Sequence, residues 1–245
     1  MKLTTLIAPL VTMMLAVTSQ ADGQVGSRGT YLIYQDGTKI GSEDYAWNDN
    51  VLEAHCVLDS SGVPVELSPR LTVDVTTLMP VAYELNENRG ETQGQVSLAF
   101  TPNKVEFSRT KNGTKSTKLL KIKPADLVID NESCSLFLLV VDRYDFQAGG
   151  EQDFTVFDPQ SRRAYVAHAK FRGLGTIDIH GGTARTRRLT LILEDVAVDL
   201  YVDAAGAVPQ ISIPLRKVEA RLNGYTGCAS AETAGLVQLA VKRSN

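Results

Sequence analysis

The chain is expected to be mainly β: a curved antiparallel meander sheet, an open or half barrel, with one helix on its concave face. Three observations lead there. Apolar and polar residues alternate with period two along most of the 245 residues. Turn-forming dipeptides sit where the alternation stops, and a single segment with a continuous apolar run breaks the period.

Tyr31 to Trp47 gives the first hairpin, two short strands around Gln35-Asp36-Gly37-Thr38. Asp-Gly tolerates the positive φ that a type I′ turn needs at both central positions. Leu71, Val73 and Val75 then alternate with Thr72, Asp74 and Thr76, and Val96, Leu98 and Phe100 repeat the pattern. Val105 and Phe107 follow the Thr101-Pro102-Asn103 turn, and Asn112-Gly113 joins two lysine-bearing strands. Near the end Leu189, Leu191 and Leu193, then Val196, Val198, Leu200 and Val202, then Ile211, Ile213 and Leu215 point one way. Such alternation means one buried and one wetted face, as antiparallel sheets have. Ser60-Ser61-Gly62 and Asp203-Ala204-Ala205-Gly206 read as longer loops.

Asp130 to Phe146 breaks the period, with six consecutive apolar residues from Leu136 to Val141. A buried strand fits such a run. A helix is preferred, because Asp130 or Asn131 can cap its start and Gly149-Gly150 can end it. Laid on a curved sheet, that helix would cover the concave face.

Residues 1–21 read as a cleaved secretory signal: Lys2, an apolar stretch from Leu3 to Val17, and Ser19-Gln20-Ala21 before the cut. The expected product is exported, periplasmic or secreted. Its organisation would be a flexible mature N-terminus at 22–29, a single antiparallel β domain at 30–225, and a C-terminal tail or edge strand at 226–245. No later apolar run approaches the ~20 residues of a membrane helix, so an integral membrane protein is not expected. With 25 basic and 28 acidic residues, the electrostatics are not those of a nucleic-acid binder.

Cys56, Cys134 and Cys228 are far apart. In an oxidising compartment one pair could bridge and leave an odd thiol, but spacing does not choose the pair, and no CxxC supports zinc. His168 and His180 lie twelve residues apart, with Asp178 as a third ligand a metal site would want, but nothing in the sequence fixes that geometry, and they read as surface residues. No G-x-S-x-G or other nucleophile signature occurs, and Asp142, Asp145 and Asp203 sit where turns and helix ends favour aspartate. No catalytic residue, metal or cofactor is therefore expected. Charge is distributed unevenly. Seven basic residues lie between Asn103 and Lys123 with Glu106 alone opposing them, and seven more lie between Arg162 and Arg188 with Asp178 alone. If the two segments are neighbours, they make a positive rim for an anionic head group or an acidic partner. Cross-strand ion pairing is the other use of these charges.

The aromatic first strand with "DGTKIG", the central capped segment followed by "AGGEQDFTVFD", and the closing "VDLYVDAAGAVPQISIP" together resemble uncharacterised periplasmic proteins of the DUF3108 and DUF6134 type. A "D..G.P" turn between two late strands is characteristic of them. Here it is Asp203, Gly206 and Pro209, with one extra residue before the proline. The resemblance implies a half barrel with a helix on its concave side, similar to the fold with which periplasmic lipoprotein carriers shelter acyl chains. It implies no catalytic residue. The function expected is a non-catalytic binding or carrier module for an amphiphilic or anionic envelope ligand, such as a lipid, a lipoprotein or another envelope component. Leu136, Leu139 and Val140 would line an apolar groove, and Arg185, Arg187 and Arg188 would stand at its mouth. The alternative is a structural protein that meets a partner through a sheet edge or basic patch.

Overall fold

The computed structural model describes residues 27–59, 62–130, 132–179 and 181–227. The expected signal peptide, Ser60-Ser61, Asn131, His180, Cys228 and the tail beyond 227 lie outside these residues.

Fifteen strands form one curved, unclosed sheet. The first eight are β1 (Arg28–Gln35), β2 (Thr38–Asn48), β3 (Val51–Leu58), β4 (Val65–Val73), β5 (Pro80–Arg89), β6 (Thr92–Thr101), β7 (Lys104–Lys111) and β8 (Thr114–Lys121). The rest are β9 (Leu127–Val128), β10 (Glu151–Asp158), β11 (Arg163–Ile179), β12 (Gly182–Leu193), β13 (Val196–Val202), β14 (Gln210–Ile213) and β15 (Val218–Leu222). The spatial order is β8-β7-β6-β5-β4-β3-β2-β1-β15-β14-β13-β12-β11-β10-β9. Two meanders thus meet at the β1–β15 pair, and the sheet's outer members are β8 and β9. Every pairing is antiparallel except the short parallel one between β9 and β10.

The turn chemistry read from sequence is present in the backbone. Asp36 and Gly37 take φ of 49° and 78°, and Asn112 and Gly113 take 47° and 81°, the pair of positive angles of a type I′ hairpin. Gly41 has another role: a Cβ there would collide with the Val57 carbonyl, so the β2–β3 ladder closes only over a glycine.

Alternation places the core where expected. Tyr31, Trp47, Leu67, Leu71, Tyr83 and Leu98 are buried from one half of the sheet, and Leu189, Leu191, Val198 and Leu200 from the other. Two members of the expected apolar series do not join them. Val75 lies beyond the end of β4 and is 72% exposed, and Leu215 sits in a 3-10 turn at Pro214–Arg216 and is 71% exposed. Period two continues in the sequence there, but the strand has ended.

The helix is present and much shorter than the expected Asp130–Phe146 span. A 3-10 turn at Ser135–Phe137 leads into α1 (Leu138–Arg143), and the chain leaves at Tyr144 in extended conformation, so Gly149-Gly150 does not form the stop. Asp130 does not cap the helix; its Oδ1 accepts the N–H of Glu132 instead. Six residues are too few to be helical by propensity alone. Leu138 to Val141 are buried, and this packing holds the turn. Together with β9 and Ile129, the segment fills the inside of the curl.

The "D..G.P" turn has a structural explanation. The Asp203 carboxylate is 1% exposed, and its Oδ1 accepts the N–H groups of Ala205 and Ala207, both at 2.9 Å. Oδ2 accepts the Tyr225 hydroxyl at 2.9 Å, and Gly206 supplies a φ of 94°. The loop in turn presents the Val208 carbonyl to the buried Tyr31 hydroxyl at 2.8 Å. Asp203→Ala should therefore cost about 1–3 kcal/mol, read as a lower urea midpoint with an unchanged slope.

Candidate functional site

Inside the curl, three carboxylates tie the filling segment to the sheet. Glu43 points inward from β2 and is fully buried. It accepts the Cys134 N–H at 2.6 Å, the Ser135 N–H at 2.8 Å and the Ser133 hydroxyl at 3.0 Å. It thus satisfies the free donors ahead of the 3-10 turn, the task expected of Asp130 or Asn131. Asp130 accepts the Tyr83 hydroxyl and the Gln160 amide, both at 3.1 Å. Glu132 pairs with Arg89, which also bonds Glu87. Burial is the largest influence on Glu43, Asp130 and Glu132 and raises the pKa of each, while the hydrogen bonds they accept oppose it.

Asp130, Glu132, Glu87 and Arg89 border a cavity of about 340 Å³, with Leu85, Val96, Phe107 and Arg109 on its sheet side and Pro159 and Gln160 opposite. A second, of about 390 Å³, is lined by polar side chains of β4 to β7, among them Ser68, Asn86, Asn88 and Gln95. The most capacious of the three, about 580 Å³, lies elsewhere, at the seam between the two ends of the sheet.

The seam exists because the chain crosses it. After β8, residues 122–126 run from the β6–β7 turn, where the Ile122 N–H donates to Asn103, to β10, where the Asp126 N–H donates to Thr155. The T-shaped contact of Phe100 on β6 with Phe157 on β10, 5.7 Å between centroids, packs beneath the crossing. Above it the groove has apolar walls of Leu119, Leu120 and Ile122 on one side and Ala164, Tyr165 and Val166 on the other. Leu119 is 62% exposed and Val166 48%.

Four cations surround these walls: Lys121 and Lys123 from the first basic segment, Arg162 and Arg163 from the second. The two segments are therefore neighbours here. Arg162 is held over the Phe107 ring at 4.9 Å, and Arg163 pairs with Glu194 at 2.7 Å. Lys121 and Lys123 have no ion-pair partner among the described residues. The Tyr165 hydroxyl is pushed up to about 12, chiefly by burial and then by Asp158 and Glu194, so it is neutral and able to donate.

The residues expected to form the site are not gathered into one. Leu136, Leu139 and Val140 pack in the core with at most 1% exposure. Arg187 faces inward and stacks on the Phe146 ring at 4.0 Å, donating to the Asp203 carbonyl at 3.2 Å. Arg188 pairs with Asp199 on the opposite face at 2.7 Å, and Arg185 is exposed. None of the six lines the three cavities above. Asp145 serves a local turn, accepting the N–H groups of Gln147 and Ala148. His168 meets Asp153 at 2.7 Å and Glu151 at 3.8 Å rather than Asp178. The donor atoms of these three lie within 4.8 Å, but both carboxylates are exposed, His168 is half-buried, and Lys170 already pairs with Glu151.

The apolar walls of the seam went unread in the sequence, although a signal was present. Lys118-Leu119-Leu120-Lys121-Ile122-Lys123 intermixes apolar and basic residues at a strand end, where neither a core nor a purely solvated edge requires it.

The model of the family described as "Protein of unknown function (DUF3108)" matches residues 30–212. Among solved structures, the chain is similar to a DUF1089 family protein from Pseudomonas aeruginosa, at 13% identity over 68% of this chain and 86% of that one, with a TM-score of 0.46. No curated protein matches.

Proposed function

Because the chain belongs to the DUF3108 family, whose description assigns no activity, we propose from the site alone that it is an exported, non-catalytic binding or carrier module for an amphiphilic anion. The seam groove is its ligand site. One observation carries this reading: the largest of the three cavities has apolar walls and four cations in its lining, two of them without an ion-pair partner among the described residues. Such a surface suits a ligand with an apolar tail and an anionic head. Each methylene buried contributes about 0.8 kcal/mol, and the lysines orient the head group. The expected location is the periplasm or the exterior, which rests on the leader-like residues 1–21.

The filled interior changes where the ligand sits, not the class of ligand. In this reading Leu119, Leu120 and Val166 contact the tail, while Lys121 and Lys123 meet the head.

A fluorescent fatty acid titrated into the delipidated protein should bind with saturation. Lys121→Glu combined with Lys123→Glu should weaken it about tenfold, or about 1.4 kcal/mol, with a reduced dependence on salt. Both side chains are exposed, so folding should be unaffected. Absence of uptake by protein with native circular dichroism would remove the proposal. Equal affinity in the double variant would remove the assigned role of the lysines.

A further inference from the structure

The sequence leaves open which of three cysteines can pair. The geometry points to Cys56 and Cys134 as a disulfide-forming pair that staples the interior segment to β3.

Cys56 stands directly opposite Glu43 across the β2–β3 ladder, a placement that sets the two Cβ atoms about 5 Å apart. The same Glu43 carboxylate holds the Cys134 N–H at 2.6 Å. The Cys56 thiol donates to the Glu132 carbonyl at 3.7 Å, two residues before Cys134. Both thiols are free in the structure, and they lie close enough that Cys56 affects the titration of Cys134. Closing the bond to about 2.05 Å draws the 132–135 loop onto β3. The consequence is specific: a covalent link would keep the segment that fills the curl in place.

Burial raises the pKa of both thiols, so the exchange belongs to the folding chain, before the segment packs. The oxidant is an external disulfide, as an oxidising compartment supplies. One cysteine thiolate attacks it, forming a mixed disulfide and releasing one external thiol. The second cysteine thiolate then attacks the cysteine sulfur of that mixed disulfide and expels the second external thiol. Two S–H bonds are lost, one S–S bond forms in the protein, and one external S–S bond is reduced to two thiols.

The test is to refold the reduced full-length chain in a mixture of reduced and oxidised glutathione. Remaining thiols are trapped with iodoacetamide, and intact protein and peptides are weighed. The expected product is lighter by two hydrogens before trapping, carries a Cys56–Cys134 linked peptide, and has Cys228 alkylated. Its melting temperature should lie above that of the reduced protein. That difference should vanish in Cys56→Ala and Cys134→Ala and persist in Cys228→Ala. Alkylation of both Cys56 and Cys134, or a bridge from either to Cys228, would overturn the assignment. The peptide map of the unaltered chain decides the question even if a variant fails to fold, and it does so independently of any ligand at the seam.

Discussion

Glu43→Ala is expected to lower the unfolding free energy by about 3–5 kcal/mol, because three buried donors lose their acceptor at about 1–3 kcal/mol each. The substitution leaves two backbone N–H groups and the Ser133 hydroxyl without their acceptor inside the core. At 2–4 °C per kcal/mol for a domain of this size, the melting temperature should fall by roughly 6–20 °C. Glu43→Gln should behave differently. Its amide oxygen can still accept the Ser135 N–H and the Ser133 hydroxyl, and no charge is buried, while its NH2 group faces the Cys134 N–H, so the loss at neutral pH should be smaller than for Glu43→Ala.

The pair of variants also tests the pH dependence. Burial raises the pKa of Glu43 from its ordinary 4.5. A raised folded value means that the folded state binds a proton more tightly than the unfolded one. Its stabilising contribution is therefore complete below about 4.5 and is lost as pH rises through the raised value. Asp130 and Glu132 are shifted in the same direction. The protein should accordingly be more stable at mildly acidic than at neutral pH, and Glu43→Gln should flatten part of that slope. Urea titrations at several pH values measure it, and a slope of opposite sign would show that hydrogen bonding outweighs burial at these carboxylates.

Leu139→Ala should cost about 2–5 kcal/mol, because Leu139 is fully buried and its removal leaves a cavity. This variant separates two accounts of the interior. If Leu139 packs as core, stability falls while affinity for the fatty acid at the seam stays within about twofold. If it lines a ligand chamber, truncation enlarges the chamber, and preference shifts toward bulkier ligands with little loss of stability. The first outcome is expected.

The architecture was legible because an antiparallel meander writes its register into the sequence. Asp36-Gly37 and Asn112-Gly113 fixed two hairpins, and the alternation at Leu189–Leu193 and Val196–Val202 fixed which face is buried. The central segment was harder. Local cap residues and a glycine pair suggested a long helix, but the donors before Ser135 are satisfied by Glu43, about ninety residues earlier in the chain, and no local rule sees such a partner. The same contact explains why Leu136, Leu139 and Val140 are not a groove: the segment is drawn into the curl and fills it. Proximity of the two basic segments could be posed from sequence only as a condition. It is met at Lys121, Lys123, Arg162 and Arg163, because residues 122–126 cross the seam, whereas Arg187 and Arg188 are spent on Phe146 and Asp199. The order in which a sheet's two ends meet is a tertiary property, and alternation within a strand carries no trace of it.

The most direct test of the central claim, an interior filled by the chain itself and a ligand groove at the seam, is photolabelling. A fatty acid bearing a diazirine in its tail is bound to the protein, irradiated, and the modified peptides are identified. Label should fall on residues 119–123 and 162–166, and carboxylate-free analogues should label weakly. Label concentrated on residues 136–141 would place the ligand inside the curl and contradict the account.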